Sequence, residues 1–111
     1  MKCLSIRQPW AHLIIHGGKD IENRTWKTKH RGPFLVHASQ MIDYEACKKF
    51  NLKPNQLHTG GIIGVVDLVD VVTESDSKWW IGPVGFVLEN PKELEYRVYK
   101  GKLNFFEAEY N

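Results

Sequence analysis

The chain has 111 residues, of which 42% are apolar, 12% aromatic and 25% charged, usage that fits one domain with a core of its own. Its 15 basic and 13 acidic side chains leave a net charge of +2, far from the strongly basic balance of a dedicated duplex binder. No apolar run approaches the roughly eighteen residues of a membrane span, and Cys3 and Cys47 build neither a disulfide framework nor a zinc-ligand pattern, so a cytoplasmic protein without metal or cofactor is expected.

In chain order, Cys3 to Ile6 reads as a short first strand. Pro9 fits the first turn of a helix, where its missing N–H costs nothing. That helix runs through Trp10, Leu13 and Ile14 and stops at Gly17-Gly18. Asp20 to Trp26 alternates, with Ile21, Asn23 and Thr25 on one face and Glu22, Arg24 and Trp26 on the other. Gly32-Pro33 reads as a turn before a strand from Phe34 to Ala38. Asp43 to Phe50 is a short helix with Asp43 near its N-cap and Asn51 near its end.

Asn51 to Gly61, with Pro54 and paired glycines, is a loop. Gly61 to Val72 is rich in β-branched residues, and Gly64 within it marks a bulge or bend. Ser75 to Ile81 is an irregular or helical turn bearing Trp79 and Trp80. Val84 to Leu88 is a strand that Pro91 should break, and Leu94 to Tyr99 is the next. Lys100-Gly101 turns into a last segment, Leu103 to Ala108, of either type. About six strands and two short helices predict an α+β domain with a strongly bent sheet, a small barrel closed or partly open.

The residues that can carry chemistry sit early. Lys19 follows two glycines at a helix end, and in a dry pocket its pKa would fall, suiting proton transfer. If the face of Glu22, Arg24 and Trp26 lines a cavity, Glu22 and Arg24 must pair, because isolated buried charges are costly. Ser5, Arg7, Gln8 and Trp10 surround the first strand–helix junction, and Gln8 has the donors and acceptors to read a pyrimidine edge. Asp67, on the face of Ile63, Val65 and Val69, either takes a structural hydrogen bond or orients Lys19. His12 and His16 are spaced for one helix face, but with no third ligand evident a zinc site is not expected there. Arg24, Lys27, Lys29 and Arg31 form a basic run around Trp26, a solvated loop or an anion-binding one.

Taken together, Leu4-Ser-Ile-Arg-Gln-Pro-Trp-Ala11, then Gly18-Lys19-x-x-Glu22-x-Arg24-x-Trp26, then Arg31-Gly32 before a strand, resemble the ASCH domain family, the activating-signal-cointegrator homology group of PUA-like β-barrels. Gly61-Ile-Ile-Gly-Val-Val-Asp67-Leu is similar to the family's later core strand. The resemblance implies one PUA-like barrel over residues 1–111, with a cleft beside the first helix facing RNA or a nucleotide-derived ligand. Some members of the family are binding modules of transcriptional or RNA-associated proteins, and a ribonuclease activity has been attributed to others. A bacterial branch consists of small amidohydrolases acting on N4-acetylcytidine, with the pattern Gly-x-Lys-x-x-Thr-x-Arg and a lysine, a threonine and a distant glutamate as catalytic set. Gly17, Lys19 and Arg24 match that pattern, and Glu22 stands where the branch has threonine. The opening motif and Lys-x-x-Glu-x-Arg look more like the endothelial-overexpressed lipopolysaccharide-associated-factor-like group, itself similar to acylcytidine hydrolases.

The activity this implies is hydrolysis of the amide joining an acyl group to N4 of cytosine or cytidine, in a metal-free site. Such a site needs a base for water, a donor for the oxyanion and an acid for the amine. Glu22 is expected to activate water and Lys19 to stabilise the oxyanion or protonate the amine, with Asp67 or Glu74 holding Lys19. Trp10, Trp26 or Trp79 would give the base an apolar wall, and Ser5, Arg7, Gln8 and Arg24 its polar surroundings. The alternative is a non-catalytic RNA- or DNA-binding module with Arg24, Lys27, Lys29 and Arg31 on phosphates. A third reading is a ribonuclease using Lys19 and a nearby histidine.

Overall fold

The β-branched run beginning at Gly61 forms the strand around which the other elements are arranged. The computed structural model describes residues 1–111. In chain order it comprises β1 (Lys2–Gln8), α1 (Trp10–His16), β2 (Ile21–Arg24), β3 (Gly32–Ile42), α2 (Tyr44–Lys49), β4 (Gly61–Val72), β5 (Val84–Val98) and β6 (Phe105–Glu107), with a 3-10 turn at Pro54–Gln56. The strands form one mixed six-stranded sheet in the order β2-β5-β4-β3-β1-β6. Only β1 and β3 pair in parallel; every other neighbour is antiparallel.

The sheet bends strongly but does not close into a barrel, which corrects the closed form of the expectation. Its edge strands β2 and β6 are joined by side chains instead of a ladder. Beyond β2, Trp26 meets Phe105 of β6 edge-on at 5.9 Å and Phe86 of β5 at 5.3 Å. Phe105 also lies 5.3 Å from Phe34. The Arg24 guanidinium reaches across to donate to the Ser5 carbonyl at 2.9 Å, a β1 group beyond the last residue paired with β6. These rings belong with a core of Leu4, Ile14, Val66 and Leu68 inside the curve.

β1 and β3 run longer than the sequence reading, to Gln8 and Ile42, and three further differences have local reasons. The strand expected to reach Trp26 stops at Arg24, because Trp26 turns inward onto Phe86 and Phe105. Pro33 lies within β3, opposite Asp67 of β4, and β1 begins to pair with β3 only at Leu35. Its missing N–H is therefore tolerated. Pro91 does not break β5. Asn90 and Pro91 fall at a register shift between the Asp67–Glu89 and Val65–Lys92 pairs, and Asn90 takes a left-handed φ of 55°. A bulge is where a strand can carry a residue with no ladder donor.

Other elements form as their residues dictate. The Asp43 carboxylate accepts from the Ala46 N–H at 3.0 Å and caps α2. Gly64 lets α1 lie close to the sheet, since a Cβ there would come within 2.6 Å of Ile15 Cδ1 and 2.7 Å of the Lys92 carbonyl. The last segment is resolved in favour of a strand, with Phe106 opposite Cys3.

Candidate functional site

The end of α1 sets the position of Lys19. Gly18 adopts φ 74°, and the Lys19 N–H bonds back to the Leu13 carbonyl at 3.1 Å. This glycine ending reverses the chain at low steric cost. The Lys19 side chain is thereby folded under the helix and is only 5% exposed.

A connected charge network follows. Lys19 Nζ donates to the Ile21 carbonyl and lies 3.6 Å from Glu22 Oε1. Glu22 Oε2 accepts from Arg24 Nε at 3.0 Å, and Arg24 Nη2 holds the Ser5 carbonyl. Each buried charge thus has a partner, as burial requires. Desolvation pushes the Lys19 pKa below its ordinary 10.5, and the Glu22 carboxylate partly opposes the shift.

Lys19 lines a cavity of about 510 Å³. Its aromatic walls are Trp10, Phe50 and Trp79. Phe50 stacks on Trp79 with centroids 5.5 Å apart and meets Trp10 edge-on at 5.8 Å. Lys19 Nζ lies 5.8 Å from the Trp10 ring and 6.0 Å from the Trp79 ring. Lys49 and Lys78, both exposed, also line the cavity.

The loop carrying Trp79 has no regular structure but is pinned from two sides. Asn23 Nδ2 donates to the Trp79 carbonyl at 3.0 Å, while Asn23 Oδ1 accepts from the N–H groups of Ile81 and Gly82. Trp80 packs so tightly that a Cβ at Gly85 would come within 2.6 Å of its ring. A strand residue thus fixes the aromatic wall of the site.

Of the residues expected at the site, Lys19, Glu22, Arg24, Trp10 and Trp79 are brought together, but in two ranks. Lys19, Trp10 and Trp79 line the cavity, whereas Glu22 and Arg24 lie behind Lys19. The others lie elsewhere. Asp67 accepts from Asn90 Nδ2 at 3.1 Å and does not hold Lys19; the structural bond is its role. Glu74 is exposed and makes no bond to Lys19.

Gln8 is buried, its amide accepting from the His12 N–H at 2.9 Å and donating to the His58 carbonyl at 2.8 Å, and it lines a different cavity from Lys19. Arg7 is exposed. The Ser5 hydroxyl faces His37 Nδ1 at 2.9 Å in a separate cavity. Trp26 is a core residue. The basic run folds on itself beside β6: Arg31 donates to the Thr28 and His30 carbonyls, and the His30 ring lies 5.5 Å from Phe105. Lys27, Lys29 and Arg31 are absent from the Lys19 cavity.

Sequence reasoning missed Asn23, Lys49, Phe50 and Lys78. Only Lys78 carried a signal, its place beside Trp79. The ASCH domain model matches residues 4–109. Among curated proteins the chain is similar to human Activating signal cointegrator 1, 30% identical over 112 residues, with 83% of this chain and 19% of the relative covered. The mouse protein of that name is 30% identical over 117 residues with the same coverage, so the chain spans about a fifth of the length of these relatives.

Proposed function

The chain belongs to the ASCH domain family, and on that premise we propose that it is a metal-free amidohydrolase removing the acyl group from N4-acylated cytosine or cytidine. The observation that carries this reading is a nearly buried lysine facing an aromatic cavity, with a carboxylate behind it. Trp10 and Trp79 offer faces for a planar pyrimidine. Burial lowers the Lys19 pKa, which raises the neutral fraction able to accept a proton at working pH.

The reaction needs no other reagent than water. Neutral Lys19 takes a proton from water as the hydroxyl oxygen bonds to the acyl carbon. The resulting ammonium returns that proton to N4 as the carbon–nitrogen bond breaks, giving a carboxylic acid and the free cytosine amine. Once protonated, the Lys19 ammonium favours the negative charge of the tetrahedral intermediate. Glu22 is a positioning residue in this scheme, not the base for water. Both its oxygens face Lys19 and Arg24, so it sets the ammonium's place and its charge balance.

Incubation with N4-acetylcytidine tests the reading: cytidine and acetate are expected, and Lys19→Met should stop their release while leaving the folded spectrum intact. Absence of cytidine from the unaltered protein would overturn it. The similarity to proteins named cointegrators favours a second reading, in which the same cavity holds a base of RNA or DNA without turnover. Binding of N4-acetylcytidine with no product would support that reading.

A further inference from the structure

Two cations at the Lys19 cavity form no ion pair within the protein. Lys49 Nζ lies 5.6 Å from the Phe50 ring and Lys78 Nζ 5.2 Å from the Trp79 ring. Neither takes part in any of the protein's ion pairs. The one carboxylate lining the cavity belongs to Asp43, which caps α2 and is in ion-pair contact with neither lysine. Lys19 differs from both, because Glu22 already balances it.

The cavity therefore combines stacked aromatic walls with two unmatched ammonium groups. An uncharged nucleoside would use the walls and leave the two cations idle. A nucleotide uses both, because its phosphate is an anion carried one sugar away from a stacking base. The expected basic run cannot serve here, since Lys27, Lys29 and Arg31 lie outside this cavity. Lys49 and Lys78 rest against Phe50 and Trp79, the two rings of one stack, so base and phosphate subsites adjoin.

We infer that this cavity takes a phosphorylated pyrimidine nucleotide, with Lys49 and Lys78 on the phosphate and Lys19 left for the base. The inference rests on the nucleobase reading above and narrows its ligand class. A free mononucleotide and the 5′ end of an RNA strand share this chemistry.

Titration of the full chain with cytidine, with cytidine 5′-monophosphate and with a short 5′-phosphorylated pyrimidine RNA tests it, followed by tryptophan fluorescence. The monophosphate should bind roughly ten-fold tighter than cytidine at low ionic strength, the scale of one charge-assisted contact. That advantage should shrink as salt rises. In the Lys49→Gln/Lys78→Gln double variant the ratio of the two affinities should fall to about one, by the same reasoning. The RNA binding more tightly than the mononucleotide would identify a strand end as the source of the phosphate. Equal affinities for cytidine and its monophosphate in the unaltered protein, or an advantage that survives in the double variant, would overturn the inference and leave the nucleobase reading standing. Failure of all three ligands to bind would remove both.

Discussion

Helix α1 contributes to two cavities of nearly equal volume, about 510 Å³ around Lys19 and about 530 Å³ around His12 and His16. In the second, several of the polar groups bond one another. Gln8 bonds the His12 N–H and the His58 carbonyl, His16 faces Glu93 at 3.4 Å, and the Tyr96 hydroxyl donates to the Thr59 carbonyl at 2.7 Å. His58 stacks on Tyr96 with centroids 4.4 Å apart. In the first, the rings pack on one another but Lys49 and Lys78 are in no ion pair. At nearly equal volume, one cavity is crossed by hydrogen bonds among its own lining and the other keeps two ammonium groups beside stacked rings and outside any ion pair.

The contrast breaks most visibly through Lys19. In the Lys19→Ala variant, turnover of N4-acetylcytidine should fall by about 10²–10⁴-fold, the usual worth of a positioned acid–base group. The folded state should persist, because Glu22 keeps Arg24 as its partner. Steady-state kinetics beside a circular dichroism melt checks both halves. In the other cavity Gln8→Ala should do the reverse. It removes the hydrogen bonds of the half-buried His12 N–H and of the His58 carbonyl, costing about 1–3 kcal/mol of stability, measurable by urea denaturation.

Trp79→Ala should weaken binding of the base by about 1–3 kcal/mol, the scale of one aromatic stacking face. A titration against cytidine reads this directly, and an unchanged affinity would place the base elsewhere.

The smallest effect concerns pH. Burial, and then the neighbouring His16, lower the His12 pKa from 6.5. Below pH 6.5 the unfolded chain takes up a proton that the folded chain resists, so stability falls as pH drops from there towards the folded pKa. The His12→Gln variant should show a shallower loss of melting temperature across that acid window. A parallel loss in both proteins would assign the acid sensitivity to other groups.

Much of the site's local geometry was legible before the structure. The glycine pair, the lysine after it and the alternation of Glu22 with Arg24 placed three charged groups near one turn, and the helix capped by Asp43 was readable from its first residue. Pro33 and Pro91 misled because a proline's cost depends on which partner strand is present, and that is a tertiary fact. Trp26 misled because alternation assigns a face without saying whether the strand continues. Gln8 and Asp67 misled for a shared reason: a polar side chain advertises hydrogen-bonding capacity, and only the fold shows whether that capacity is already used.

The sequence by itself determined most of the elements, though not their ends, the motif that places the chain in its family and the turn that buries Lys19, because each depends on residues a few positions apart. The tertiary structure decided the cavity. Phe50 meets Trp79 and Asn23 holds the Trp79 loop only when distant segments are packed together. The unmatched charge of Lys49 and Lys78 also exists only in the fold, since a lysine's want of a partner depends on which carboxylates arrive beside it.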